Sequence, residues 1–112
     1  MIVLKSKILI KIFSLNFARA MAIFPFILIK HEYIRKDKII INHEKIHLRQ
    51  QLELLIIFFY LWYLVEYLIR FVKYKNRRKA YENISFEKES YDKEQDLNYL
   101  KERTLWSFIK YL

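Results

Sequence analysis

Not one residue of this chain is glycine, and Pro25 is its only proline. Glycine supplies the left-handed backbone positions on which two-residue hairpins and phosphate-cradling loops depend. Its absence argues against tight two-residue hairpins and against nucleotide-binding or kinase chemistry. Cysteine is also absent, which excludes disulfides, thiolate metal ligands and cysteine nucleophiles. A chain of 112 residues is sized for one domain, 1–112, with one modest core.

Ile2–Phe13 alternates loosely and is rich in branched residues, which predicts one or two short strands. Ala18–Ala22 fits no element clearly. FPFILI, Phe24–Ile29, predicts a further strand, placed at a sheet edge because proline cannot donate to a ladder. KHEYIRKDKI, Lys30–Ile39, is polar and predicts a surface loop. From Asn42, an N-cap candidate, the pattern becomes helical and runs to about Lys75, with a kink or break allowed. The basic knot KYKNRRK, Lys73–Lys79, marks its end, where cations suit the helix dipole. A helix is expected from about Ser85 to Arg103, followed by an aromatic turn, with Phe86, Leu97, Leu100, Trp106 and Ile109 as core. The expected fold is α+β and mostly helical: strands within about 2–30, a motif and apolar helix over about 42–75, and C-terminal helices over about 84–112.

HEKIH, His43 to His47, matches the pattern H-E-x-x-H. On a helix, residues four apart sit one above the other, so both imidazoles can reach one ion. Glu44 lies off that line, where it can take a proton from an attacking water rather than bind the metal. Catalytic zinc requires a third protein ligand. His31 is the one other histidine and would reach the site only through a tight turn, so a carboxylate is expected.

The pattern HExxHxxQ, here His43, Glu44, His47 and Gln50, followed by an aromatic-rich helix and NISFEKESY, resembles small zincin-like proteins of the gluzincin type. Nearly the whole chain is similar to a family of short Bacteroidetes proteins with an HExxHxRQQxE core, including FPF, FYLWYLVEYLIR, SFE and the closing aromatics. The resemblance implies a minimal zincin-like domain and a zinc site, and names no particular substrate. It places the third ligand at Glu87 and a small residue at Ser90, with Glu89 as a rival ligand. The aspartate expected one residue beyond Ser90, which would hold a ligating imidazole, is replaced by Tyr91. Tyr91 can instead donate to a ligand or to a developing oxyanion. Gln50 lies near the site face, able to orient a ligand or substrate, while Arg49 and Glu53 have the spacing of an ordinary ion pair. FPFILI takes the role of the strand along which an extended substrate would pair.

Leu54–Val65, LLIIFFYLWYLV, is short for a membrane span, and reaching the necessary length takes in Glu66 and Arg70. Three settings accommodate it: a buried scaffold helix, contact with or insertion into an anionic membrane, and a homo-oligomer interface. The formal net charge of +9 suits an anionic surface, whereas the spread of the cations makes nucleic acid a poor partner. The N-terminus lacks the uninterrupted apolar region of a standard signal peptide, so a cytoplasmic or membrane-associated location is expected. The function expected is zinc-dependent peptide hydrolysis on a peptide or protein substrate. The alternative is a membrane-associated structural or regulatory protein whose metal site is vestigial or structural.

Overall fold

The computed structural model describes residues 2–14 and 19–112; residues 15–18, which include the start of the ambiguous Ala18–Ala22 segment, lie outside the description. The chain begins with strand β1 (Ile2–Lys5) and helix α1 (Lys7–Ser14), then strands β2 (Ala20–Ile23) and β3 (Phe26–Ile29). Of the one or two strands expected over Ile2–Phe13, one forms, and α1 takes the remainder. The signal missed is Ser6, whose hydroxyl accepts from the Leu9 amide at 3.2 Å and caps a helix where alternation suggested extension.

The three strands form a sheet in the order β1-β3-β2, with β1 parallel and β2 antiparallel to β3. FPFILI is therefore central, not at an edge. Pro25 sits in the turn between β2 and β3, after a cis Phe24–Pro25 bond, so the proline removes nothing from the ladder. A tight hairpin thus forms without glycine, contrary to expectation. The free edges of the described sheet are β1 and β2.

After β3, the segment expected as a loop forms a 3-10 helix, Glu32–Lys36, with Ile34 fully buried. Asp37 then caps helix α2 (Lys38–Glu53) by accepting from the Ile39 and Ile40 amides, so the helix starts before Asn42. Asn42 serves instead as a tie to the far end of the chain. Its amide donates to the carbonyls of Lys93 and Asp96 at 3.4 and 3.0 Å, and of Glu94 at 2.8 Å. Helix α3 (Ile57–Tyr74) departs from α2 at an angle of 111°. At the break, Leu55 and Ile56 have φ of 54° and 63°, and the Ile57 amide bonds back to the Leu55 carbonyl at 2.6 Å. This is a strained γ-turn centred on a β-branched residue, adopted in a chain without glycine.

Helices α4 (Arg77–Glu82), α5 (Ser85–Lys93) and α6 (Tyr99–Glu102) follow, then a 3-10 turn at Ser107–Tyr111. The helix expected over Ser85–Arg103 is thus two pieces. Helix α2 lies between two apolar layers. Ala20, Ala22, Ile27, Ile29, Ile34 and Leu48 form the layer toward the sheet, and Phe59, Ile84, Phe86 and Phe108 form the layer toward the C-terminal helices. Phe86 belongs to the core as expected, but Leu97, Trp106 and Ile109 are about half exposed. Phe108, one residue from Ile109, takes the core position in the final turn. The result is an α+β fold, mostly helical, with short N-terminal strands, a motif-bearing α2 and a glutamate-bearing α5.

Candidate metal centre

The site forms where the middle of α2 faces the first turns of α5. His43 and His47, one turn apart, direct their Nε2 atoms at the same oxygen of Glu87, Oε1, at 3.3 and 3.1 Å. The ligand-capable atoms of these three residues all lie within 4.8 Å of one another, and all three residues are buried. Two imidazole nitrogens and one carboxylate oxygen form a donor set suited to zinc.

Several elements fix the Glu87 side chain. Helix α5 is held at its start by Glu66 of α3, which accepts from the Ser85 amide at 3.0 Å and from the Ser85 hydroxyl. A carboxylate at a helix N-terminus meets the positive end of the dipole. Tyr63, also on α3, donates to Glu87 Oε2 at 2.9 Å, which leaves Oε1 to face the histidines. Phe86, fully buried against Phe59, Trp62, Tyr63 and Phe108, anchors the residue just before Glu87.

His47 is oriented from behind. Its Nδ1 lies 2.8 Å from Gln50 Oε1 and 3.3 Å from the Ser90 hydroxyl. Gln50 is completely buried, and its Nε2 donates to the Phe86 carbonyl at 3.2 Å and to Glu89 Oε1 at 2.9 Å. Because both of those partners only accept, the amide can be oriented in one way, with its oxygen toward His47. The Nδ1 proton is thereby fixed, so once the imidazole is neutral the Nε2 lone pair is the one turned to the site. Glu89, the rival ligand, faces away from the histidines. It bonds Gln50, the Tyr99 hydroxyl at 2.6 Å and the Arg103 guanidinium, which also reaches Glu53 Oε2 at 2.6 Å. Glu53 thus pairs with Arg103 and not with Arg49.

His43 has its Nδ1 3.7 Å from Glu94 Oε2, so a carboxylate lies behind this imidazole although Tyr91 stands at the aspartate position. Tyr91 and His43 meet edge to face, with ring centroids 4.5 Å apart, and the Tyr91 hydroxyl is 3.0 Å from that of Tyr81. Glu44 is buried beside the triad, with Oε2 at 3.9 Å from His43 Nε2.

Electrostatics follow from this enclosure. Burial acts to lower the His47 pKa, but the charge and hydrogen bond of Glu87, the Glu44 charge and the Gln50 bond raise it to about 9. Burial acts to raise the Glu87 pKa, yet the His47 charge and the bonds from both imidazoles hold that carboxyl below the usual range. Burial raises the Glu44 pKa, with the Glu87 and Glu94 charges adding to it against the two histidines. Burial likewise raises the Tyr91 pKa and keeps its phenol protonated at neutral pH.

The motif pointed to His43, Glu44 and His47 and the resemblance to Glu87, and these meet. It gave no sign of Tyr63, Glu94 or Arg103. The Gln50 spacing was the one local signal for the residues behind the triad, since a residue three places past His47 returns to its face of the helix. Compared with known proteins, the chain matches no family model, no curated protein and no solved structure.

Proposed function

We propose that this chain is a zinc-dependent metallopeptidase of gluzincin type. The observation that carries the reading is the convergence of His43 Nε2 and His47 Nε2 on one oxygen of Glu87, with Glu44 alongside. The donor set fits zinc, and His43, His47 and Glu87 would hold it. When bound, zinc supplies Lewis acidity toward a scissile carbonyl and makes water a stronger acid.

The residues around it divide the work. Glu44 acts as general base and then general acid: its raised pKa brings a carboxylate closer to the range in which it can accept and return a proton near neutral pH. Gln50 keeps the His47 proton on Nδ1, and Tyr63 keeps Glu87 turned toward the histidines. Tyr91, protonated and packed against the His43 ring, is the phenol assigned to donate to a developing oxyanion. A substrate strand can no longer be assigned to FPFILI, because β3 has partners on both sides. Strand β2 has a free edge, but the Gln51 carboxamide holds its Ala22 carbonyl and Phe24 amide, each at 2.8 Å. An extended peptide pairing there would displace Gln51.

The burial of all three ligands favours a second reading, in which a metal ties α2 to α5 for structure alone. Glu44→Gln separates the two. In zinc-loaded protein assayed with a fluorogenic peptide library, the peptidase reading expects full metal content and cleavage reduced by at least ~100-fold. Cleavage that persists unchanged removes Glu44 from the chemistry and overturns the mechanism, and a wild-type protein that holds zinc and cleaves no peptide in the library leaves the structural reading.

A further inference from the structure

Helix α3 is built inside out. Its inward arc carries Phe59, Tyr63, Glu66 and Arg70, and the polar members are engaged within the protein: Tyr63 by Glu87, Glu66 by Ser85 and Arg70. Its outward arc carries Leu61, Leu64, Val65, Leu68, Ile69 and Val72, each between 52% and 74% exposed. At 100° per residue these six fall within an arc of about 140° that contains no charge. Together they expose on the order of 600 Å² of apolar surface, at the upper limit for a typical monomer. A helix at a protein–water boundary has the opposite polarity, whereas a helix bordering lipid turns its ionisable groups inward.

We propose that this face of α3 is set into the acyl region of an anionic lipid bilayer. Charge decides between a bilayer and a second copy of the chain. The basic run Lys73–Lys79 continues from the end of the exposed face, and Lys73, Lys75, Arg77, Arg78 and Lys79 are all exposed. These cations lie where anionic headgroups would meet a helix dipping into lipid. Two copies meeting through α3 would instead bring together chains of net charge +9 each. Among the described residues no single helix is long and apolar enough to cross a membrane, and the α2–α3 pair that reaches the length is bent by 111°. The contact is accordingly assigned to α3 alone, with α2 turned out of its direction. Since α3 also presents Tyr63 and Glu66, the helix that meets lipid is the one that seats Glu87 and α5.

The chain has no cysteine, so Val65→Cys and Leu68→Cys each accept a single environment-sensitive fluorophore. The full chain would be mixed with phosphatidylcholine vesicles containing phosphatidylglycerol, with and without bromine on the acyl chains, and floated on a density gradient. Expected are flotation with the vesicles and quenching of both labels by acyl bromine, with a label at Lys101→Cys unquenched. Leu64→Lys/Leu68→Lys should weaken vesicle binding by ~10-fold or more, and Lys73→Glu/Lys75→Glu by a similar factor that shrinks at high salt. These positions face away from the protein, and circular dichroism checks that the variants fold. A monomer that does not float with the vesicles and keeps its labels open to iodide overturns the proposal. So does a lipid-free dimer that shields the labels, which would assign the face to a second copy.

Discussion

Gln50 shows how much of the site depends on one amide. Its carbonyl accepts from His47 and its amino group is held by the Phe86 carbonyl and Glu89, so the imidazole is kept in the tautomer a metal needs. Replacing it with leucine, which has a similar volume, removes that acceptor without removing any metal ligand. Gln50→Leu should weaken zinc binding about 10–100-fold, as read by chelator competition. Unchanged affinity would mean that Ser90 alone holds the ring. His47 also predicts a pH dependence for the metal-free chain. Its folded pKa of about 9 lies above the unfolded value of ~6.5, so the folded state binds this proton more tightly. The stability it adds is complete below ~6.5 and disappears as pH rises to about 9. Glu44, raised by burial, works in the same direction at its own pKa. Glu87, with a lowered pKa, adds stability above ~4.3 that is lost as pH falls through its folded value. Urea unfolding of metal-free protein should therefore show stability falling between about pH 6.5 and about 9. Zinc-loaded protein, in which His47 has already lost its proton, should not show that fall.

At the scale of elements, the ion cluster Glu89–Arg103–Glu53 joins α5, the segment after α6 and the end of α2. Glu89 and Arg103 have fully buried side chains. Arg103→Met leaves two carboxylates without their cation and should cost about 3–5 kcal/mol in urea unfolding. Lysine, lacking the planar fork, should recover only part of that. An Arg103→Met protein as stable as wild type would contradict the role given to this cluster. The same elements show what the chain's local chemistry could reveal. The HExxH spacing is a local, periodic signal, and so α2 and its paired histidines were legible, while the glutamate on α5 was reached through the resemblance alone. The start of α2 was not, because Asp37 caps it from within a segment whose charges suggested a loop. Nor was the break at 54–56, which no glycine or proline marks. The setting of α3 stayed open for another reason: a helix apolar on most of its circumference carries no pattern that says which side is outside. Arg103 and Glu89 meet through tertiary packing alone, and local periodicity has no means of pairing them.

The whole molecule is divided by α2, with the sheet on one side and the C-terminal helices on the other, and the candidate metal site ties α2 to α5 across the second junction. A metal bound there stabilises the folded chain by mass action, by about 2.7 kcal/mol at a free concentration about one hundred times its Kd. Thermal unfolding should move upward with added zinc in wild type and stay in place in His43→Ala. An equal shift in both would locate the ion elsewhere. The most direct measurement is zinc content, by elemental mass spectrometry, of the wild type, Glu87→Ala and Glu89→Gln purified side by side. The account predicts about one zinc per chain in the wild type and in Glu89→Gln, and nearly none in Glu87→Ala. Full zinc in Glu87→Ala, or a wild type that takes up no zinc when it is supplied, would contradict it.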